Sequence, residues 1–364
     1  MDSRFEQARD LFLEGVAHYE AGRLPQAEQK FAGALALVPG RPSVLTNLGA
    51  VRLKLGRVEE ALALLQEALE QEPDNPEALG HCGTALAELG RPAQALPYFE
   101  RALAANPNLP AVWTLRGTAL RELGRPQEAA QAYEEALARG GDAQLLRYYL
   151  AGLQAGEAPA HPPRHYVETL FDAYADGFDA HLLQALHYDA PRILTQRLAA
   201  QGRRWRHALD LGCGTGLCGP HLRAMADRVT GVDLSARMLE KAARLGAYDA
   251  LQQADLVEFL ESTSETFDLV VAADVFIYVG AIDDVFRALA QRLAQGAAFC
   301  FTVEESTGAE VALRSSLRYA HSEAGIRRLA AAHGFDVSAI ERRPVREDQR
   351  VPVPGLFAWL QRRA

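Results

Sequence analysis

The sequence predicts two domains of different class: an all-α repeat array, then an α/β domain built on a mostly parallel sheet. Three observations predict it. Small and apolar residues recur with a period of 34 in the N-terminal half. The proline-bearing stretch 155–164 (AGEAPAHPPR) interrupts that period and reads as a linker. Beyond Arg206, short apolar runs alternate with helical ones, and the first apolar run ends in a glycine-rich turn.

Composition narrows the function classes. The chain has 364 residues, 49% hydrophobic and 23% charged, as expected of a globular protein of two or three domains. The net charge is −9 and both halves are acidic, so nucleic acid is not an expected partner. No apolar run reaches the roughly 18 residues a membrane span needs. The opening MDSRFEQARD has no basic-then-apolar leader pattern, so a cytoplasmic protein is expected. Cys82, Cys213, Cys218 and Cys300 are too few for a disulfide framework. No His or second Cys pair joins Cys213 and Cys218, so no metal is expected.

In the first half, Gly15, Gly49, Gly83 and Gly117 share one phase. Gly22, Gly56, Gly90 and Gly124 share another, as do Ala27, Ala61, Ala95 and Ala129. Each unit reads as two amphipathic helices. The first glycine and the alanines let the pair approach closely, and the second glycine ends the first helix in a left-handed conformation. Pro39, Pro73 and Pro107 close three units. Leu45, Leu48, Leu62 and Leu65 lie at helical spacing along the seam. One unit cannot bury its apolar face alone, so the units stack into a solenoid.

These residues resemble the tetratricopeptide repeat family. The family pattern runs through Leu45, Leu48, Gly49, Arg52, Ala61, Leu65 and Pro73, and again through Trp113, Arg116, Gly117, Leu120, Ala129 and Tyr133. The resemblance implies a solenoid over 8–154, with units 8–41, 42–75, 76–109 and 110–143 and a capping helix over 144–154. It also implies a protein or peptide partner on the concave face. Of the positions that form a carboxylate clamp in some relatives, only Asn47 matches; Leu13, His81 and Leu115 stand at the others.

In the second half, strands are expected at 207–211, 228–232, 251–254, 267–273 and 297–303, with helices between them. Two late strands, 335–341 and 356–361, read as an antiparallel hairpin at one edge, making seven in all. Ligands in such folds bind at the carboxyl ends of the strands. The first strand runs into Asp210-Leu211-Gly212-Cys213-Gly214-Thr215-Gly216. Glycines there give a tight turn and let a ligand approach the backbone. Asp210 is placed to accept from an ammonium, Asp233 from two ribose hydroxyls and Asp255 from an adenine amino group. Three acids at three strand ends describe a nucleoside with an amino-acid tail.

This segment resembles the class I S-adenosylmethionine-dependent methyltransferases, whose Rossmann-like fold would cover 165–364. The resemblance implies S-adenosyl-L-methionine as cofactor. It implies that Asp210, Gly212, Cys213, Gly214 and Gly216 hold the methionine part and Asp233 the ribose. Leu234 and Met238 would flank the adenine, with Asp255 and Leu256 at its amino group, and Ala273 and Asp274 would lie near the sulfonium. Gly214, Gly216 and Gly219 also spell a dinucleotide fingerprint, with Asp233 near the offset of a ribose acid. Against that alternative, Asp210 would oppose a pyrophosphate at the turn, and Asp255 would have no role.

The acceptor is less legible. No Asn/Asp-Pro-Pro-Tyr/Phe follows the fourth strand, which disfavours adenine and glutamine amide acceptors, and no Pro-Cys provides a cytosine nucleophile. Glu304-Glu305 reads as a solvated strand end. An aromatic segment holding Tyr166, Tyr174 and Phe178 reads either as a lid over the cofactor or as plain helix core. His181 is a candidate base and Tyr278 a candidate lining of the acceptor pocket. Tyr319 and His321 are read either as substrate contacts or as the start of a helix. The whole arrangement resembles bacterial predicted methyltransferases with tetratricopeptide repeats. Three functions stay open: an enzyme acting on a protein the repeats recruit, an enzyme acting on a small molecule with repeats for assembly, and a cofactor-binding scaffold.

Overall fold

The computed structural model describes residues 3–153, 158–175, 178–180, 182, 186, 188–348 and 350–363, without the side chains of residues 173, 174 and 180. The chain divides into two compact units, Met1–Leu153 and Gln154–Ala364.

The first unit is four helix pairs and a ninth helix: α1 Ser3–Glu20, α2 Leu24–Leu37, α3 Pro42–Lys54, α4 Val58–Gln71, α5 Pro76–Glu88, α6 Pro92–Ala105, α7 Pro110–Glu122, α8 Pro126–Ala138 and α9 Ala143–Leu153. Proline opens five of these helices, where its missing N–H costs no hydrogen bond. The two glycine phases do what their spacing predicts. Gly22, Gly56, Gly90 and Gly124 all have φ between 70° and 76°. A Cβ on Gly15 would sit 2.7 Å from the Phe31 ring, and one on Gly117 would sit 2.5 Å from Tyr133. Each pair of helices thus closes over an aromatic or leucine side chain of its second helix. Asn47 donates to the Ser43 carbonyl one turn back on its own helix.

The second unit opens with α10 Arg164–Tyr174, the short α11 Phe178–Ala180 and α12 Ala190–Ala199. Its sheet begins with five parallel strands in the order β3-β2-β1-β4-β5: β1 Trp205–Leu211, β2 Ala226–Asp233, β3 Ala250–Gln253, β4 Phe267–Ala272 and β5 Leu293–Glu305. Helices α13 Gly219–Met225, α14 Ala236–Arg244, α15 Leu256–Ser262 and α16 Asp283–Arg292 connect them. Two more strands, β6 Val311–Leu313 and β7 Tyr319–His321, form a small hairpin, and β7 pairs with Glu304 and Glu305 at the end of β5. After α17 Glu323–Ala332, the strands β8 Phe335–Asp348 and β9 Val351–Arg362 pair antiparallel, and β9 pairs antiparallel with β5. Apolar clusters fill both faces of the sheet, one built on the Phe276, Phe286, Phe299 and Phe301 rings and the other on Trp205, Phe357 and Trp359.

Three features differ from the sequence reading. The sheet has the expected seven-strand layout with the β6–β7 hairpin added. The described part of the proline-rich stretch is docked rather than free-running: the Pro159 carbonyl accepts from the Tyr319 hydroxyl and the Ala160 carbonyl from the Ala281 N–H. Glu304 is not solvated; it is 2% exposed and pairs with Arg346 and Arg314.

Candidate active site

A cavity of about 570 Å3 opens at the carboxyl ends of β1, β2, β3 and β4. Asp210, Asp233, Asp255 and Asp274 all line it, so the acids expected from four strand ends converge on one space.

The glycine turn is held by the neighbouring strand. Gly212 and Cys213 both donate to the Val232 carbonyl, at 2.8 and 2.9 Å. Gly212, Gly214 and Gly216 have φ of 73°, 54° and 95°, and a Cβ on Gly212 would meet Val275 at 2.6 Å. The turn's shape therefore requires glycine at these positions. Gly214 N–H then donates to Asp233 at 2.8 Å, and Ser235 N–H donates to its other oxygen at 2.9 Å. The Leu234 N–H is a third backbone donor to this carboxylate, which keeps accepting capacity for a ligand hydroxyl. Asp255 caps α15, accepting from Val257 and Glu258 through one oxygen at 2.8 and 3.2 Å.

The electrostatics favour a cation. Burial pushes the Asp210 carboxyl up to about 7, opposed by the hydrogen bond from Tyr248, with Asp233 adding a like charge. Burial likewise raises Asp233. Among the described residues, no ion pair neutralises either acid. A ligand bearing an ammonium and a sulfonium would supply the missing positive charge, and a pyrophosphate would add to the excess of negative charge. The residues present therefore fit S-adenosylmethionine and not a dinucleotide.

Side-chain ties hold the α10–α11 segment over this end of the sheet. The Thr215 hydroxyl donates to Asp179 at 2.5 Å, Ser235 to Asp172 at 2.5 Å, and Arg164 reaches Glu258 at 3.1 Å. Each tie lands on the segment that directly follows one of the three acids. Phe171 and Phe178 pack edge to face, and Phe171 meets Tyr278 the same way at 5.0 Å. Those three rings line the cavity together with Val167 and Leu170.

Asp274, also on the lining, sits at φ 60°, a backbone strained for a residue with a side chain. Its N–H donates to the Thr302 hydroxyl at 2.8 Å, and Arg346 donates to both of its carboxylate oxygens at 2.8 Å. Arg318 and Arg346 also line the cavity.

Gly212, Cys213, Gly214, Leu234, Leu256, Ala273, Phe178 and Tyr278 line the cavity alongside the four acids. Gly216 shapes the turn from outside the lining, and Met238 is fully buried under α14 without reaching the cavity. Tyr166 lies half-buried on α10, away from the lining. Tyr319 and His321 face inward from β7. The Tyr319 hydroxyl donates to Pro159 at 2.9 Å, and His321 Nε2 donates to the Gly280 carbonyl at 2.9 Å. Both anchor the chain rather than touch the cavity. His181 and the Tyr174 side chain fall outside the described residues. Sequence reasoning missed Asp172, Asp179, Tyr248, Arg318 and Arg346. Only the helix spacing of the first two carried a signal, since they lie in the segment read as a lid.

Residues 209–299 match the family model described as a methyltransferase domain. Residues 18–78 and 52–119 match one tetratricopeptide repeat model, and residues 110–142 match another. The chain thus combines tetratricopeptide repeats with a methyltransferase domain. Malonyl-acyl carrier protein O-methyltransferase of Enterobacter lignolyticus is 34% identical over 124 residues, which is 32% of this chain and 49% of that protein. Trans-aconitate 2-methyltransferase of Rhizobium etli is 32% identical over 132 residues, 34% of this chain and 51% of that protein. The chain thus spans about half the length of these curated relatives. Among solved structures, magnesium protoporphyrin IX methyltransferase of Synechocystis PCC 6803 aligns with a TM-score of 0.43 and 17% identity, over 55% of this chain and 99% of that one.

Proposed function

We propose that the second unit is an S-adenosylmethionine-dependent methyltransferase acting on an oxygen or nitrogen acceptor. The observation that carries this reading is the convergence of Asp210, Asp233 and Asp255 on one cavity, around a turn built from three glycines. When bound, the cofactor supplies an electrophilic methyl group. Asp210 would hold its ammonium, Asp233 its ribose hydroxyls, and Asp255 the adenine amino group. Methyl transfer is an in-line displacement, so the chain's main contribution is orientation and exclusion of water. Phe171, Phe178 and Tyr278 provide the apolar wall that excludes water. The match to an O-methyltransferase supports an oxygen acceptor.

Tetratricopeptide repeats generally mediate protein interactions, and the four units here support a protein or peptide partner on their concave face. The acceptor would then be that protein, or a small molecule if the repeats serve assembly. Transfer of label from radioactive cofactor into a cell extract, separated by size, tests both, with Asp233→Ala as control. Label in a few protein bands makes the repeats a recruiting arm, and label in the small-molecule fraction makes them an assembly device. No Asp233-dependent label in either fraction would count against methyl transfer.

A further inference from the structure

We propose that Tyr248 is a positioning residue for the cofactor: its hydroxyl aims and orients the Asp210 carboxylate, and three glycines, Gly219 above all, leave room for its ring. This rests on the cofactor reading above. The Tyr248 hydroxyl donates to Asp210 Oδ2 at 2.6 Å, a short, charge-assisted bond. It leaves Oδ1 outside that bond, and Asp210 lines the cavity while Tyr248 does not. Tyr248 therefore acts on a ligand only through Asp210.

The ring is held from three directions. A Cβ on Gly216 would come within 3.0 Å of it, one on Gly219 within 2.7 Å and one on Gly231 within 3.0 Å. These glycines belong to the turn, to the start of α13 and to β2. A Cβ on Gly216 or Gly231 would also meet Leu245 at 2.9 Å or Leu251 at 2.7 Å, whereas a methyl group on Gly219 would meet the Tyr248 ring first and drag the hydroxyl off Asp210. Gly219 is the last glycine of the apparent dinucleotide fingerprint. Its close approach to the Tyr248 ring explains it without any phosphate.

The groups facing Asp210 are the Tyr248 hydroxyl, Asp233 on β2, the Cys213 and Cys218 thiols of the turn, and the buried Tyr188 hydroxyl. Among the described residues no cation joins them, and the Cys218 thiol also hydrogen-bonds the carboxylate. Burial and Asp233 push the Asp210 carboxyl up to about 7, and the Tyr248 bond works in the opposite direction. Only the ionised carboxylate pairs with an ammonium, so affinity should rise with pH through about 7. Without the hydroxyl that rise should move to higher pH.

The test is calorimetric titration of the full chain with S-adenosylhomocysteine at several pH values, for wild type, Tyr248→Phe and Gly219→Ala. Tyr248→Phe keeps the ring and loses only the bond, while Gly219→Ala keeps the hydroxyl and displaces it. Removing a hydrogen bond to a charged group predicts roughly tenfold or greater weakening at neutral pH, with the loss shrinking as pH rises. This shift in both variants supports the proposal. Unchanged affinity and pH profile in a folded variant would overturn it, as would a loss independent of pH, which marks a purely structural role. A wild-type chain that binds no S-adenosylhomocysteine would overturn the cofactor reading itself.

Discussion

Arg346 holds Asp274 through one terminal nitrogen, at 2.8 Å from each carboxylate oxygen, and Glu304 through the other. The arginine side chain is 1% exposed. Removing it would take the buried counter-charge from Asp274 and leave Glu304 with Arg314 alone. Arg346→Met should therefore destabilise the second unit by about 3–5 kcal/mol. Arg346→Lys should recover little, because an ammonium cannot reach both acids in one plane. Urea unfolding of the variants measures this, and a loss below about 1 kcal/mol in Arg346→Met would refute the assignment.

His321 predicts an acid-sensitive fold. Burial depresses its imidazole from 6.5 to about 4, so the folded chain keeps it neutral while the unfolded chain protonates it below about 6.5. The stability it contributes is present above that value and is lost as pH falls toward 4. Between about pH 7 and pH 5 the loss from this residue should be about 2 kcal/mol. His321→Gln should show a flatter profile in urea melts at the two pH values. An equally steep profile in the variant would place the acid sensitivity elsewhere.

The ties from Asp172 to Ser235 and from Asp179 to Thr215 predict that the α10–α11 segment slows cofactor escape. Each neutral-to-charged bond is worth about 1.5–3 kcal/mol when buried and less near solvent. Asp172→Ala with Asp179→Ala should speed dissociation of S-adenosylhomocysteine by roughly tenfold, read by stopped-flow displacement. An unchanged dissociation rate would reduce the segment to plain packing.

Within the repeats, Gly117→Ala would drive a methyl group to 2.5 Å from the Tyr133 ring. That ring is fully buried and bonded to Thr118, so it has little room to yield. Overpacking of this kind costs about 1–3 kcal/mol. Thermal melting of the chain should show the loss, while S-adenosylhomocysteine affinity stays at the wild-type value.

The repeats were legible because each glycine answers a local demand: a left-handed φ at Gly56, or a close neighbour at Gly49. The acids that line the cavity were legible because a strand ending in an acid beside a glycine turn is also a local pattern. The remainder depends on partners distant in sequence. Glu304 read as solvated because Arg346, 42 residues away, cannot be paired with it from spacing. The Tyr248 bond to Asp210 spans 38 residues. Tyr319 and His321 stood out as chemistry-bearing side chains, yet three-residue strands such as β7 are too short to show an alternation that would turn them inward. Met238 fitted the family position, but its place on α14 directs it into the core.

The most direct test of the account is calorimetric titration of S-adenosylhomocysteine into the wild-type chain and Asp233→Ala. Asp233 is fixed by the Gly214 and Ser235 amides at the centre of the site. The account predicts one binding site in the wild type and no measurable binding in the variant. No binding by the wild type, or equal affinity in the two chains, would contradict it.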